Sequence, residues 1–422
     1  MKIAVIGGGS TYTPELVEGF IERAEKLGLS ELMLMDIDAD RLRIVGDFVK
    51  RMVAHAGNLF RVTTTDNRTE ALEGAGFVST QFRVGQQPAR HQDILLGLRH
   101  DLIGQETTGI GGMAKALRTI PVIIEICNEM ERVAPNAWLI NFTNPSGLIT
   151  EAILNYTNQE KCIGLCNVPI EAKMTVAKHL GVPEEDVDMD VVGLNHLGWV
   201  RQVKVKGEDI SESLMTFLAS AEGPANIPDI DFAPELINAL KAMPLYYNRF
   251  YYNTERVLEE LKNKPQTRAE EVMEIEKKLL TKYMDPKLVT KPSELDKRGG
   301  AYYSKIAVDV MDAIVNDRGI MHAVNTRNDG AIPGLPDEVV VETMATIDKN
   351  GATPRPTWEL DPSMLALIQR AKAYEILTIQ AALKKSYDLA FKAIFTNPVG
   401  PTADRAKPVL DDLLKTNQLE YK

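Results

Sequence analysis

The sequence predicts an α/β protein, a doubly wound parallel sheet followed by a mixed α+β domain. Three observations predict it. Over the first ~180 residues, short β-branched runs alternate with amphipathic stretches, the rhythm of a parallel sheet covered by helices on both faces. A glycine-rich turn, Gly7-Gly8-Gly9-Ser10, joins the first run to the first helical stretch. After about residue 185 the rhythm changes to alternating runs and Glu/Lys-rich helical segments. At 422 residues and 44% hydrophobic content, the chain can bury the core of one large or two ordinary domains.

Strands are predicted at 3–6, 32–35, 62–64, 77–81, 138–140 and 162–165. Thr13 opens a helix with Pro14 at its first position, and Val17, Phe20, Ile21 and Ala24 fall on one face. Further helices are predicted at 39–54, 114–133, 147–157 and 169–180. Val191-Val192-Gly193 then leads into Asn195-His196. Trp199 to Val205 alternates up to the turn-like Lys206-Gly207-Glu208, which predicts antiparallel pairing. Helices follow at 255–264 and 267–283, divided by Pro265, and a long one at 362–395 is capped by Asp361 with Pro362 at its first position. Asp348, Gly351, Pro354 and Pro356 mark 345–361 as a surface excursion. The resulting division is a Rossmann-like nucleotide-binding domain over 1–165 and an α+β domain over 166–422.

Composition excludes several partners. With 48 basic against 59 acidic residues, a net charge of −11 and a pI near 5.3, no general affinity for nucleic acid or anionic membrane is expected. No run approaches ~18 uninterrupted apolar residues, and the N-terminal run lacks the features of a signal peptide. Cys127, Cys162 and Cys166 are too few and odd in number for a disulfide framework. A cytoplasmic protein is expected.

In an open parallel sheet the ligand lies at the carboxyl ends of the strands. Gly7, Asp36, Arg83, Asn141 with Asn144, and Cys166 with Asn167 all follow predicted strands, so five separate segments point at one crevice. The turn at Gly7 offers backbone N–H groups at a helix start to a pyrophosphate. Asp36 would accept from ribose hydroxyls and repel a 2′-phosphate, favouring NAD over NADP. A cysteine ending an apolar strand is ordinarily a small buried hydrophobe, and a lone histidine is ordinarily structural. Cys166 and His196 are the alternative, a two-ligand metal site whose open positions a substrate diol could fill. In Gly104 to Gly112, Glu106 is placed either in a flexible loop or where it orients a metal-bound water. The cluster Tyr246-Tyr247-Asn248-Arg249-Phe250-Tyr251-Tyr252 is either core or the source of a phenolic base. Lys297-Arg298-Gly299-Gly300 and Asn325-Thr326-Arg327-Asn328 are either solvated loops or oxyanion contacts. His55, His91, His100, His179 and His322 have no evident partner and read as surface or structural.

Seven motifs occur in an order that resembles the NAD- and manganese-dependent glycosidases, family four of the glycoside hydrolases. They are Gly7-Gly8-Gly9-Ser10-Thr11, Ile103-Gly104-Gln105-Glu106-Thr107, Asn141-Phe142-Thr143-Asn144-Pro145, Gly164-Leu165-Cys166-Asn167-Val168-Pro169, Gly193-Leu194-Asn195-His196, Lys297-Arg298-Gly299-Gly300 and Asn325-Thr326-Arg327-Asn328. Asn167 makes the chain most similar to the 6-phospho-β-glucosidases, because α-specific relatives tend to carry an acid after the metal cysteine. The resemblance implies hydride abstraction from C3, loss of the C2 proton, departure of the aglycone from C1, water addition and hydride return. The two-carboxylate scheme of ordinary glycoside hydrolysis does not apply to such an enzyme. It implies cofactor contacts from Gly7, Gly8, Gly9, Ser10, Thr11, Asp36 and Arg83, and metal ligation by Cys166 and His196. Asn144 and Asn167 would meet the sugar hydroxyls, and Arg298, with Ser10 or Arg90, the phosphate. Tyr247 would be the C2 base, with Tyr246 as its rival. The substrate would be a phosphorylated disaccharide or β-glucoside, the 166–422 domain would also carry oligomerisation, and a homodimer or homotetramer is expected. Arg83-Val84-Gly85-Gln86-Gln87 and Gln92 to Gly97 depart from the family pattern beside the phosphate pocket. An NAD-dependent 2-hydroxyacid dehydrogenase and a non-catalytic NAD-sensing module are the competing readings.

Overall fold

Alternation along the first strands decides how the sheet is clothed. In β1 (Lys2–Ile6), Ile3 and Val5 face one apolar layer while Ala4 and Ile6 face another, and Leu32 and Leu34 part from Met33 and Met35 in β2 (Glu31–Met35) in the same way. The first layer is Leu16, Val17 and Phe20 of helix Thr13–Leu27, Val45, Phe48 and Val49 of helix Ala39–His55, and Ile306 and Val310 of helix Tyr303–Asn316. The second is Met113, Leu117 and Ile120 of helix Gly109–Val133, with helices Ser146–Tyr156 and Pro362–Lys384. Phe20 is wholly buried, and its truncation to alanine should cost about 3–5 kcal/mol.

The computed structural model describes residues 1–213, 232–299, 302–357 and 359–422. β3 (Arg61–Thr65), β4 (Phe77–Thr80), β5 (Trp138–Asn141) and β6 (Cys162–Gly164) complete a parallel set in the order β3-β2-β1-β4-β5-β6. The sheet does not end there. Gly164 of β6 pairs with Asn325 of antiparallel β11 (Ile320–Arg327), which carries β12 (Val340–Asp348), then β7 (Val187–Leu194), β8 (Leu197–Val205) and β10 (Met243–Pro244). With β9 (Glu208–Asp209) on β8 and β13 (Gly351–Pro354) on β12, the described residues hold one thirteen-stranded sheet. No helix among them is long and apolar enough to cross a membrane.

Several expectations are corrected. Segment 345–361 is largely the β12–β13 hairpin rather than a surface excursion: its turn residues close a strand pair in which Gly351 takes φ 107°. The long helix expected at 362–395 is two, Pro362–Lys384 and Tyr387–Thr396. Lys385 adopts φ 49° and Ser386 caps the second helix. Helix Gly109–Val133 starts five residues earlier than expected, inside the glycine-rich stretch. Helix Gln86–Arg99 has no counterpart among the predicted elements. Thr13 is the first residue of its helix rather than its cap, and its hydroxyl donates to Gly8 O at 2.9 Å. The break at Pro265 is where expected, between Thr254–Asn263 and Arg268–Tyr283, and Thr267 with Glu270 forms a capping box on the second.

Candidate active site

At the carboxyl ends of β1, β2, β4, β5 and β6 lies a cavity of about 580 Å³. Gly7, Ser10, Asp36, Arg83, Asn144 and Asn167 line it, and so do Arg90, His196, Tyr247 and Arg298 from later or intervening segments. The crossing from β1 to β4 demands the first glycine. Gly7 has φ 93°, and a Cβ there would lie 2.8 Å from Phe82 N. The N–H groups of Gly7 and Gly8 both donate to Met35 O, and Gly9 N–H donates to Asp36 Oδ2 at 2.9 Å. The turn and the acid that ends β2 are thus one hydrogen-bonded unit. Asp36 also accepts from Asp38 N, and burial nevertheless raises its pKa.

Gly8, Gly9 and Thr11 do not line the cavity; the structure uses them beneath its wall. Thr11 is fully buried, its carbonyl accepting from Tyr283 Oη and its hydroxyl from Arg298 Nε, each at 2.8 Å. Asn141 is likewise internal, bonded to Thr80, Thr143 and Thr150. The Asn144 side chain accepts from Ser146 N at a helix start and also faces the cavity.

Six cationic side chains line this cavity, Arg41, Arg68, Arg83, Arg90, Lys115 and Arg298, against three carboxylates, Asp36, Glu106 and Glu276. In a chain of net charge −11 that is a focused positive site. The charges form two clusters. In one, Glu106 accepts from Arg83 and from Lys115 Nζ at 2.7 Å, with Arg90 Nε 3.4 Å away. Burial would raise Glu106, but Arg83, Lys115 and Arg90 hold its carboxyl well below the usual range. Burial, reinforced by Arg83, pushes Lys115 down to about 7 despite Glu106. Burial brings Arg90 down to about 10, and its Nε has no hydrogen-bond partner. Glu106 therefore stands in an ion-pair network on the cavity wall rather than in an unpartnered loop. In the other cluster, Glu276 accepts from Arg298 at 3.1 Å, Arg41 at 3.2 Å and Gln87 at 3.2 Å.

The third group surrounds His196, which sits at φ 64° in the turn between β7 and β8, a strained position for a non-glycine residue. Its ring stacks on Tyr247 with centroids 3.8 Å apart and planes 6° from parallel. Burial drives its pKa down to about 3, so the imidazole is neutral, the form that ligates metals, and its buried Nδ1 has no partner. Cys166 is 1% exposed and lies behind the cavity wall rather than in it. Burial pushes its thiol up, although Val168 N–H and the Asn195 side chain donate to the sulfur. Among the described residues no cluster of three or more His, Cys, Asp or Glu side chains could hold a metal. A thiolate and an imidazole would leave the remaining positions of a bound divalent cation to oxygen ligands from substrate or water. Tyr247 lines the cavity and Tyr246 does not. Burial raises the Tyr247 phenol, so a nearby cation is needed before it can serve as a base.

Arg327 is not in the site. It holds Asn155 Oδ1 and Leu154 O, and Asn325 faces Glu342. Gly300 lies outside the described residues. Sequence reasoning passed over Tyr303, whose ring lines the cavity between Tyr12 and Phe142 and meets the Asn144 side chain. It also passed over Lys115, Arg41, Glu276 and Glu171, the last of which accepts from Asn167 Nδ2 and is raised to about 8 by burial. An acid or base inside a helical apolar face is the signal that marks Lys115 and Glu276.

A dinucleotide-type turn, a positive cleft and a soft/borderline ligand pair on one extended sheet define a class, and comparison places the chain within it. Residues 2–182 match the family 4 glycosyl hydrolases and residues 191–400 the family 4 glycosyl hydrolase C-terminal domain. The chain belongs to that family. It is 40% identical over 410 residues to the 6-phospho-β-glucosidase of Escherichia coli (strain K12), covering 94% of this chain and 91% of the relative. It superposes with a TM-score of 0.92 on the 6-phospho-β-glucosidase of Thermotoga maritima solved with manganese, NAD+ and glucose-6-phosphate. That protein is 38% identical, with 100% of this chain and 99% of the other covered. The 6-phospho-α-glucosidase of Leptotrichia buccalis is 30% identical over 434 residues, 99% of this chain and 98% of its own.

Proposed function

We propose that the protein hydrolyses 6-phospho-β-glucosides through a transient redox cycle that begins at C3 of the sugar. The observation that carries this reading is the meeting in one cavity of the Gly7–Asp36 unit with the stacked His196–Tyr247 pair. A simple hydrolase has no use for the first, and the second sets a phenol beside a metal-ligand imidazole, where a proton can be taken from a carbon next to an oxidised one. Bound NAD supplies a reversible hydride acceptor, and a bound divalent metal, manganese by preference, a Lewis acid for the vicinal hydroxyls. Gly7 and Ser10 at the helix start, with Asp36, hold the nucleotide, Arg83 bounding its far wall. Gly8, Gly9 and Thr11 support it from below. Cys166 and His196 hold the metal, and Asn144 and Asn167 orient the sugar hydroxyls. Arg298 and Arg90 take the phosphate, for which Arg298 must exchange part of its contact with Glu276. Tyr247 removes the C2 proton once C3 is oxidised, the aglycone leaves from C1, water adds, and the hydride returns.

The β assignment rests on higher identity to the β-specific relatives and on Asn167 in place of an acid. The same reading places nucleotide binding in 1–165 and substrate, metal and assembly in 166–422. It sets the protein in the cytoplasm, which three unpaired cysteines suit, as a homodimer or homotetramer that light scattering would distinguish. The test is incubation with NAD, manganese and a nitrophenyl 6-phospho-β-glucoside in heavy water. Nitrophenol release without accumulation of NADH, and deuterium at C2 of the glucose 6-phosphate, are expected. Accumulated NADH would make it a dehydrogenase, and protium retained at C2 with no need for NAD an ordinary hydrolase.

A further inference from the structure

Behind the cavity, in the antiparallel extension of the sheet, a buried carboxylate has no part in the reaction above. Glu342 on β12 is 2% exposed and faces two amides: Asn195 Nδ2 and Asn325 Nδ2 both donate to its Oε1, each at 3.0 Å. The orientation of these amides is fixed by the backbone. Gly147 N–H can only donate, and it donates to Asn195 Oδ1 at 3.3 Å, so the NH2 of Asn195 must turn the other way. Gly164 O can only accept, and it accepts from Asn325 Nδ2 at 3.4 Å. The Asn195 amide also donates to the sulfur of Cys166. One residue thus touches Glu342 on one side and Cys166 on the other, and it immediately precedes His196 in the left-handed turn.

We propose that Glu342 is a positioning residue for the metal site, acting through Asn195 on both Cys166 and His196. It holds the Asn195 amide in the rotamer that donates to the sulfur, and it anchors the chain at the residue before the strained histidine. Outer hydrogen bonds that orient metal ligands commonly set affinity by about 10- to 100-fold. The inference rests on the assignment of Cys166 and His196 as the metal ligands.

The experiment is a titration of manganese against the full chain with NAD present, read by the loss of the free-ion electron paramagnetic resonance signal. The dissociation constants of wild type, Cys166→Ser, Glu342→Gln and Asn195→Ala are compared, and NAD affinity is measured in parallel by fluorescence. Cys166→Ser should abolish measurable binding. Glu342→Gln should raise the manganese Kd by at least about tenfold while changing NAD affinity less than twofold. If Glu342→Gln fails to fold, Asn195→Ala, which keeps the carboxylate and cuts the link, should show the same selective loss. A Cys166→Ser protein that binds manganese like wild type would overturn the ligand assignment itself. If Cys166→Ser loses the ion while Glu342→Gln, or Asn195→Ala in its place, stays within twofold of wild type, the ligand assignment stands and the role of Glu342 is refuted. Parallel loss of manganese and NAD affinity would refute it too, by showing a merely structural residue.

Discussion

The nucleotide side and the sugar side of the cavity are built on different principles. Around Gly7 the wall is shaped by backbone: three consecutive glycines let strands approach, and N–H groups bond Met35 O and Asp36. On the sugar side the wall is charge and ring, with Glu106 among Arg90, Lys115 and Arg83, which also bounds the nucleotide, Glu276 between Arg298 and Arg41, which also donates to Gly9 O at 3.3 Å, and His196 against Tyr247. Backbone geometry tolerates almost no substitution and, Asp36 apart, offers nothing that titrates. A charged wall tolerates shape changes but responds to the loss of any one partner, because each remaining buried charge is then less well compensated.

The comparison is broken most severely at Tyr247. Tyr247→Phe keeps the ring that stacks on His196 and removes only the phenol, so kcat should fall by about 10²- to 10⁴-fold, with NAD affinity unchanged. Single-turnover assays with substrate deuterated at C2 measure this. A phenylalanine variant within tenfold of wild type would hand the base role to another group, and Tyr303 is then the first to test.

Gly7→Ala probes the other wall. The new Cβ would meet Phe82 N at 2.8 Å and sit at φ 93°, a conformation costing roughly 1–3 kcal/mol for a residue with a side chain. NAD affinity should fall about 10- to 100-fold, read by fluorescence quenching, while manganese affinity holds. Equal loss of both would show that the two walls are not separable.

Next in size is Arg298→Ala. A charge-assisted contact to phosphate is worth about 1.5–3 kcal/mol, so kcat/KM should drop about 10- to 100-fold for a phosphorylated glucoside and little for its unphosphorylated form. Equal effects on the two substrates would remove Arg298 from the phosphate site and leave it as the partner of Glu276 and Thr11.

The two walls also differ in how far they could be read from sequence. The nucleotide wall is local: a strand, a turn and a helix within thirty residues, with Asp36 at the next strand end, where period and glycine placement carry the signal. The sugar wall joins Arg41 to Glu276 across 235 positions and Asn195 to Glu342 across 147, and no local pattern encodes such pairs. Ordered motifs pointed to His196 and Arg298 where spacing alone could not, and both line the cavity. The hairpin at β12–β13 was missed because its turn residues resemble those of a loop, and with it Glu342. The break at Lys385 was missed because a lysine in the left-handed region carries no glycine or proline to announce it.

The smallest expected effect separates the two charge clusters. Among the described residues Glu276 is paired with arginines and Gln87, whereas Glu106 has Lys115, whose pKa burial lowers to about 7 from an ordinary 10.5. Between those values the unfolded chain binds the lysine's proton and the folded chain increasingly does not. The unfolded state then carries more protons, so this group's contribution makes stability rise with pH. From pH 7 to 8 the gain is about 1 kcal/mol. Glu106 adds no slope of its own there, since its carboxyl is held well below its usual range and is ionised throughout. Lys115→Met should therefore make the slope of unfolding free energy against pH between 7 and 8 less positive than in wild type, in urea titrations at constant ionic strength, with the opposing slope of Glu171, which burial raises to about 8, common to both proteins. Arg41→Met, which disturbs the Glu276 cluster instead, should leave that slope as it is. A wild-type slope unchanged in Lys115→Met would mean that the lysine stays charged in the folded state, with Glu106 outweighing both burial and Arg83.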